Sequence, residues 1–564
     1  MLYDVIVVGS GIAGLHAALH ARKKGARVAV LTKSNPLRSN SAVASGGINA
    51  VINLSGYDSY ERHATDTIAG SDGIVNRQNI IKMCQEAPAI IEELQQMGVA
   101  FDTNEDNTIA QRPFGGASAV RTCYIADRTG SAIVMRLLQE CRKEGIIFLT
   151  NHQMLNIVTY KGGLSGITVL RRSDSHVTAL GCKSLVLAGG GFAGIFRGHT
   201  TNPQESSGDT IAAAFRAGVR LSNMEFVQFH PTALKTNGSL ISEASRGEGA
   251  YLVDESGERF TDELQTRDKL TRAILQHIQK GHRVYLDFRH LDPELIDTKL
   301  PSTCKIALTG AGVDIKKELL EITPAAHYTI GGIWTRSDTS TTLPGLFACG
   351  ECAVTGVHGA NRLGGNSLLE GAYFGRIAGS EAALYAVDRD YNPVDFMDVE
   401  RDMQLVNGIL EGENRYNINA MRSNLGEALF KNAGAFRSEA SLLEADDYIR
   451  YLRGVKHGLC CVNKERENNV ELSSILEFYN ALQIAEAMVV SAKQRKESRG
   501  VHYRSDYPRR DDTYYNAASY IVKMGSVYMK LSFENAAKID LGYRIRKFFI
   551  LIKERSRYGK SYAA

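Results

Sequence analysis

The segment Gly9-Ser10-Gly11-Ile12-Ala13-Gly14 spaces three glycines as a dinucleotide site needs them. Gly9 permits a tight turn, Gly11 lets the backbone approach a pyrophosphate, and Gly14 lets a helix pack closely on a strand. The N–H groups that open the following helix then face the phosphate charge. The next apolar run ends in Thr32-Lys33-Ser34, with no acid to hold a ribose hydroxyl, which argues against a generic nicotinamide site. Just beyond, Arg38-Ser39-Asn40-Ser41-Ala42-Val43-Ala44-Ser45-Gly46-Gly47-Ile48 is a run of small, hydroxylated residues able to lie against a large flat cofactor. Farther along, four separated segments offer groups that can pair with a desolvated carboxylate: His230, Ser242-Glu243 with Arg246, His327, and Arg362. Taken singly, each is more often a structural residue. Arg267 reads on physical grounds as one more carboxylate clamp, since a guanidinium stays protonated and presents a planar fork.

Rigid elements must stand behind these groups. Tyr3-Asp4-Val5-Ile6-Val7-Val8 reads as a strand and the Ala-rich stretch running to about Lys24 as a helix, so the glycines sit in the strand–turn–helix context that gives them meaning. At 564 residues the chain exceeds one core, which implies about two to four domains. Its 44% hydrophobic and 23% charged residues are those of a soluble globular protein, and a net charge of +4 gives no reason to expect nucleic acid. No apolar run approaches the roughly 20 residues that span a bilayer, and the N-terminus reads as a strand rather than a signal peptide. Nine cysteines without framework spacing fit reduced thiols, so a cytoplasmic setting is expected.

Further motifs follow in order: Leu185-Val186-Leu187-Ala188-Gly189-Gly190-Gly191, Ser207-Gly208-Asp209, Gly350-Glu351, and His358-Gly359-Ala360-Asn361-Arg362-Leu363-Gly364-Gly365-Asn366-Ser367-Leu368. With them the chain resembles the flavoprotein family of succinate dehydrogenases, fumarate reductases and L-aspartate oxidases over about residues 3–380. A looser match follows at Glu497-Ser498-Arg499-Gly500 and Asp506-Tyr507-Pro508. The resemblance implies FAD and an α/β fold: a Rossmann-like FAD-binding domain with an inserted α+β capping domain, then a helical domain and a C-terminal extension. The expected divisions are 1–225 with 341–395 for the discontinuous FAD-binding domain, 226–340 for the cap, 396–500 for the helical domain and 501–564 for a less family-like C-terminal region. Helical periodicity is clearest from Asn407 to Phe436 and from Ser441 to Arg453. On the family pattern the cofactor meets Gly9, Gly11, Ala13 and Gly14, then Lys33 and Ser34, and then Ser39, Ser41, Ala44, Gly46 and Gly47. Ala188, Gly189, Asp209, Glu351, Arg362, Ser367 and Leu368 complete that expectation.

By the same resemblance His230, Ser242, His327 and Arg362 match dicarboxylate-binding positions, with Ser242 keeping the hydroxyl of the usual threonine. Arg267 matches the arginine that passes a proton to or from the substrate carbon opposite the flavin, and Glu243 and Arg246 match the relay that reprotonates it. The implied reaction interconverts fumarate and succinate by hydride transfer at FAD. Asn40 stands where the covalently flavinylated members carry histidine, so noncovalent FAD is expected, with a lowered potential that favours fumarate reduction. Phe114, in the acid-free loop Gln111–Thr122, stands where aspartate oxidases place a glutamate for the substrate ammonium. The leading reading is therefore the flavoprotein subunit of a fumarate reductase or succinate dehydrogenase complex. An iron–sulfur subunit is its expected partner, with a membrane anchor or further redox subunits holding it at the cytoplasmic membrane face. The alternative is an L-aspartate oxidase making iminoaspartate for NAD synthesis, and the intact His230, His327, Arg267 and Arg362 argue against a noncatalytic assembly subunit. Cys349 and Cys352 read as packing thiols, and no spacing in the chain suggests an iron–sulfur or zinc site. The basic, partly apolar run Arg544–Arg555 reads equally as a docking surface for a partner or anionic membrane and as a solvated helix.

Overall fold

From Val5 onward, strand Leu2–Val8 alternates between two cores. Val5 and Val7 join one apolar cluster and Ile6 and Val8 another, which is why the strand reads as a continuous hydrophobic run. In the computed structural model, which describes residues 1–52, 57–524 and 528–534, this strand is central to a seven-stranded sheet. It pairs in parallel with Val28–Thr32 and with His176–Leu187. Ile147–Thr150 and Leu346–Ala348 add further parallel strands, and Gly163–Arg171 and His152–Tyr160 close the sheet as antiparallel members. Register brings Gly9, Thr32, Ala188 and Cys349 to one edge, each just past the pairs Val8↔Leu31, Val8↔Leu187 and Ala348↔Leu187. Ligands of open parallel sheets bind outside that carboxyl edge.

One sheet face is covered by helices Ile12–Lys23, Arg77–Gln96, Thr129–Lys143 and Asn366–Ala386. The first and last of these approach very closely, since a Cβ at Gly379 would stand 2.0 Å from the Ala17 carbonyl oxygen. Between Val227 and Thr329 the chain leaves the sheet and builds a four-stranded antiparallel layer from Val227–Leu234, Leu320–Thr329, Val284–Asp287 and Tyr251–Asp254. Helices Arg267–Gln279, Pro293–Lys299 and Pro301–Ala311 accompany it, and Leu252, Leu270, Ile274, Leu286 and Phe288 form a core of its own. This is the inserted α+β cap.

The helical part packs on the other face of the large sheet. The periodic stretch Asn407–Phe436 is two helices, not one: Phe396–Glu411 ends before Gly412, and Ile418–Ala433 starts anew with the Asn417 side chain accepting from the Ala420 N–H. The longest helix, Val470–Gln494, is buried around most of its circumference. Beyond it Arg495, Arg499 and Arg504 are buried, and Arg495 joins Glu225 at 2.6 Å and Glu497 at 2.9 Å. Strands Ala518–Met524 and Tyr528–Glu534 then extend a sheet begun by Leu221–Ser222, Gly332–Trp334 and Ala353–Val354, so this extension is integral to the fold. The basic run Arg544–Arg555 lies outside the described residues. Among the described residues no helix is long and apolar enough to cross a membrane.

Candidate active site

A cleft opens at the carboxyl edge of the parallel strands. Gly9, Gly11, Ala13, Lys33, Ser34, Ser39, Ser41, Ala44, Ala188, Gly189, Asp209, Glu351, Ser367 and Leu368 all line it. Three helices begin here behind glycine N-caps, Gly11, Gly208 and Gly365, none with a side-chain cap. Of the N–H groups that open the first helix, that of Ile12 donates to Ser41 Oγ at 3.1 Å, and such helix starts are suited to an anion. A Cβ at Gly9, where φ is +116°, would meet the Ala188 carbonyl oxygen at 2.1 Å, so that turn tolerates only glycine, while one at Gly11 would press on Ser41 Oγ at 2.9 Å. A glycine cradle, uncapped helix starts and a long cleft floored by small residues together fit FAD, with the pyrophosphate placed at the first helix.

Four expected cofactor residues do not line the cleft. Gly14 packs its helix onto the turn, where a Cβ would lie 2.1 Å from the Gly9 carbonyl oxygen. Gly46 makes room for the Phe114 ring, whose Cζ would lie 2.6 Å from its Cβ. Gly47, at φ +135°, sits against Thr122 and Cys123. Arg362 is buried behind the cleft wall, with its Cζ 4.3 Å from the Tyr328 ring centroid. Lys33 lines the cleft, yet its three ammonium donors go to the Glu205 carbonyl, Asp209 and Glu477 at 2.7, 2.9 and 2.9 Å. Burial opposes its charge, but the two carboxylates raise its pKa overall. Asn40 also lines the cleft and donates to Asn202, which donates in turn to the His327 carbonyl at 2.6 Å.

Beside the cleft, the cap and the loop around Arg362 enclose a cationic cluster. Arg246, Arg267 and Arg362 are 2%, 8% and 3% exposed, and a single carboxylate, Glu243, lies within 4.0 Å of any of them among the described residues. Arg267 donates to Glu243 Oε2 from Nε at 2.9 Å and from Nη2 at 2.7 Å, and to Gln228 Oε1 from Nη1 at 3.2 Å. That leaves two of its five N–H groups free. Gln228 donates onward to the Arg362 carbonyl at 2.8 Å and to Asn361 at 2.9 Å, tying both arginine segments together. Burial pushes Glu243 up, but Arg267 and Arg246 outweigh it and hold the carboxyl below its ordinary range. Burial, with Arg267 beside it, lowers Arg362 to about 9, and no described group bonds its Nε.

His230 and His327 face each other edge to plane with centroids 5.0 Å apart. Burial and Arg267 hold both well below the ordinary histidine value, so both are neutral before substrate arrives. Thr201 Oγ1 lies 2.8 Å from His327 Nδ1 and orients that ring. Ser242 caps the short helix Glu243–Gly247 by accepting from the Ala244 N–H at 3.2 Å, which leaves its hydroxyl proton to donate. Phe114 is buried with its ring against Gly46 and Gly364. On the side away from Arg267, Arg246 bonds the Glu263 carbonyl at 2.5 Å, and the Glu263 carboxylate meets half-exposed Arg259 at 2.7 Å. Gln228, Thr201, Tyr328 and Glu263 carry no motif of their own; only the fold reveals them. Cys349 and Cys352 are fully buried, with burial raising both thiols, and Cys352 donates to the Leu187 carbonyl at 3.2 Å. They pack.

A glycine-cradled dinucleotide cleft beside a sealed cluster of cations is the site of a flavin-dependent oxidoreductase. Two family models match the chain: FAD binding domain over residues 4–368, and fumarate reductase flavoprotein C-term over residues 422–546, well past the thinning of sequence motifs near 501. The flavoprotein subunit of 8-methylmenaquinol:fumarate reductase from Wolinella succinogenes is 36% identical, covering 97% of this chain and 92% of that one. The succinate dehydrogenase flavoprotein subunit of Rickettsia felis is also 36% identical, covering 90% and 91%. A solved quinol–fumarate reductase with menaquinol molecules superposes with a TM-score of 0.90 at 31% identity, covering 95% of this chain and 98% of that chain. The chain therefore belongs to the fumarate reductase and succinate dehydrogenase flavoprotein family, and it is an FAD-dependent oxidoreductase.

Glu351, on the cleft floor, yields a pH prediction. Burial raises its carboxyl to about 7, against the pull of the Thr329 N–H and of Arg362. Between about 4.3 and 7 the folded chain holds a proton that the unfolded chain has lost, so this group's contribution to stability falls as pH rises through that window. Glu351→Gln keeps the acceptor for Thr329 and removes the titration. In flavin-free protein, its melting temperature relative to wild type should be higher at pH 8 than at pH 5. The same offset at both pH values would contradict the assignment.

Proposed function

We propose that the chain is the flavoprotein subunit of a fumarate reductase or succinate dehydrogenase-type complex, interconverting fumarate and succinate at noncovalent FAD and exchanging electrons through an iron–sulfur partner. One observation carries this reading: three buried guanidiniums share the site with one close carboxylate, Glu243, which meets Arg267 and Arg246 but not Arg362, an excess of positive charge that a dicarboxylate would neutralise. Buried charges demand such pairing. When bound, FAD supplies the hydride chemistry of its flavin ring. The protein's share is binding, polarisation and proton supply. Arg362, His230, His327 and Ser242 hold the carboxylates and draw electron density from the double bond. Arg267, fixed by Glu243 and Gln228, directs a free N–H at the substrate carbon and gives up a proton there; Glu243 and Arg246 restore it. Burial of the cluster excludes water from this exchange. The loop carrying Phe114 seals the site by bonding cap residues, Gly115 N–H to Glu243 at 3.0 Å and Gly116 N–H to the Leu264 carbonyl at 3.3 Å.

The same contacts weigh against L-aspartate oxidation. The Gln111–Thr122 loop brings no acid, and Glu243 is already committed to Arg267 and the Gly115 N–H, so a substrate ammonium would find no free anion. Noncovalent flavin rests on Asn40, whose amide cannot form the linkage that a histidine makes. The relatives are named as subunits, which supports an assembly with an iron–sulfur partner and placement at a membrane through further subunits. The four-part division at 225, 340, 395 and 500 remains our reading of the chain.

Purified protein gives the first check. Acid precipitation should leave all yellow colour in the supernatant, fumarate should oxidise a reduced dye, and L-aspartate with oxygen should give no hydrogen peroxide. Robust peroxide from L-aspartate would transfer the assignment to the oxidase branch, and flavin retained on the precipitate would exclude noncovalent binding. The arginines give the second. Arg362→Lys should weaken dicarboxylate binding, because a point ammonium cannot reproduce the bidentate fork. Arg267→Lys should leave competitive-inhibitor binding nearly intact while lowering turnover by orders of magnitude, on the order of 1,000-fold, as loss of a transition-state role does. Equal losses of inhibitor affinity with turnover preserved at saturation would make Arg267 a binding residue only.

A further inference from the structure

The first helix, Ile12–Lys23, carries a group that the flavin cleft does not use. His16 is 0% exposed, and neither of its ring nitrogens has a hydrogen-bond partner among the described residues. A buried polar group in that condition is costly, and native structures rarely keep one without a reason. One helical turn on, the His20 ring stands 6.2 Å from the His16 ring, and His20 Nε2 lies 3.1 Å from Glu93 Oε1 on helix Arg77–Gln96. One nitrogen from each histidine and one Glu93 oxygen all lie within 4.8 Å of one another. Histidines four apart on one helix face, joined by a carboxylate from a second helix, make a ligand set for zinc.

We propose that His16, His20 and Glu93 bind a divalent transition ion of the zinc type, with water as fourth ligand, and that the ion pins the flavin-binding helix to helix Arg77–Gln96. Burial lowers His16 to about 3, so its ring is neutral and offers a lone pair. His20 and Glu93 are 15% and 17% exposed, which gives the ion a way in. The site lies toward the carboxyl end of the first helix, where the backbone dipole favours a cation. The other charges facing it are Lys23, 3.0 Å from Glu93 Oε1 and half-exposed, and Arg376, which is paired with Glu86 at 2.6 Å. Lys23 is free to swing into solvent and release the carboxylate. The sequence hides this site because its third ligand stands 73 residues from the second. A rival group in the cap, Asp254, His277 and His282, is less suited. Its His282 is 42% exposed and its Nδ1 lies 3.1 Å from Glu255, a carboxylate outside the set, while the His277 ring is stacked on Phe260 at 4.2 Å.

The test uses flavin-loaded protein stripped with a chelator and titrated with Zn2+ against a chromophoric competitor. We expect one tightly bound ion per chain. His20→Ala and Glu93→Ala, both at partly exposed positions and both checked for intact flavin content, should weaken binding by about 100-fold or more, since even an outer-sphere partner is worth 10–100-fold. His277→Ala should leave the titration unchanged, and Co2+ in place of Zn2+ should show the visible absorption of a low-symmetry nitrogen–oxygen site that His20→Ala removes. Binding of no ion at stoichiometric zinc would overturn the proposal. So would an ion lost in His277→Ala but kept in His20→Ala.

Discussion

Arg246, Arg267 and Arg362 are held out of water with Glu243 close to the first two only, and much of the structure serves that arrangement. A desolvated guanidinium is tolerable only when bonded, and Glu243 cannot serve three of them. The protein meets the shortfall partly with neutral acceptors: Gln228 Oε1 for Arg267, the Glu263 carbonyl for Arg246, and the Tyr328 ring face for Arg362. None of these cancels a charge. Burial first, and then the charge of Arg267, lowers both histidines and Arg362, and in the proposed function this field selects a dianion.

The two halves of the site come from two cores, and this explains the long interruption of the flavin-binding sheet. Parallel strands deliver Gly9, Thr32, Ala188 and Cys349 to one edge, where uncapped helix starts await phosphate. The cap, with its own apolar centre, delivers His230 from a strand, Ser242, Glu243 and Arg246 from one short helix and its N-cap, and Arg267 from another helix. Glycines at 46, 115 and 364 let the layers meet, since a Cβ at Gly364 would lie 2.9 Å from both Glu243 and the Phe114 ring. Closure, charge and the seating of the Phe114 ring thus depend on the same few contacts.

Much of this was legible in the sequence where the determining interactions are local. The alternation in Leu2–Val8 and the glycine spacing after it required only period and turn chemistry. The charged groups were legible through motif order, although their separation along the chain concealed which would meet. Gln228 was not: an amide becomes a cross-link only when Arg267 and Arg362 are brought to its two ends. Lys33 reads as a cofactor residue, but Glu477, 444 positions away, occupies its ammonium. Helix Val470–Gln494 shows no amphipathic stripe because nearly every side is buried, and the break at Gly412 is masked by periodic residues on both sides. The closing hairpin at 518–534 pairs with Leu221–Ser222, a contact no local pattern encodes.

The central claim is that the excess positive charge in the sealed cluster is a template for a dianion. Calorimetric titration of the flavin-loaded protein with succinate and, separately, with butyrate tests it directly, because the two share a four-carbon chain and differ by one carboxylate. The account predicts that succinate binds at least about 100-fold more tightly, the order expected when a charged partner of a buried pair is removed. Equal affinities for the two ligands would contradict it.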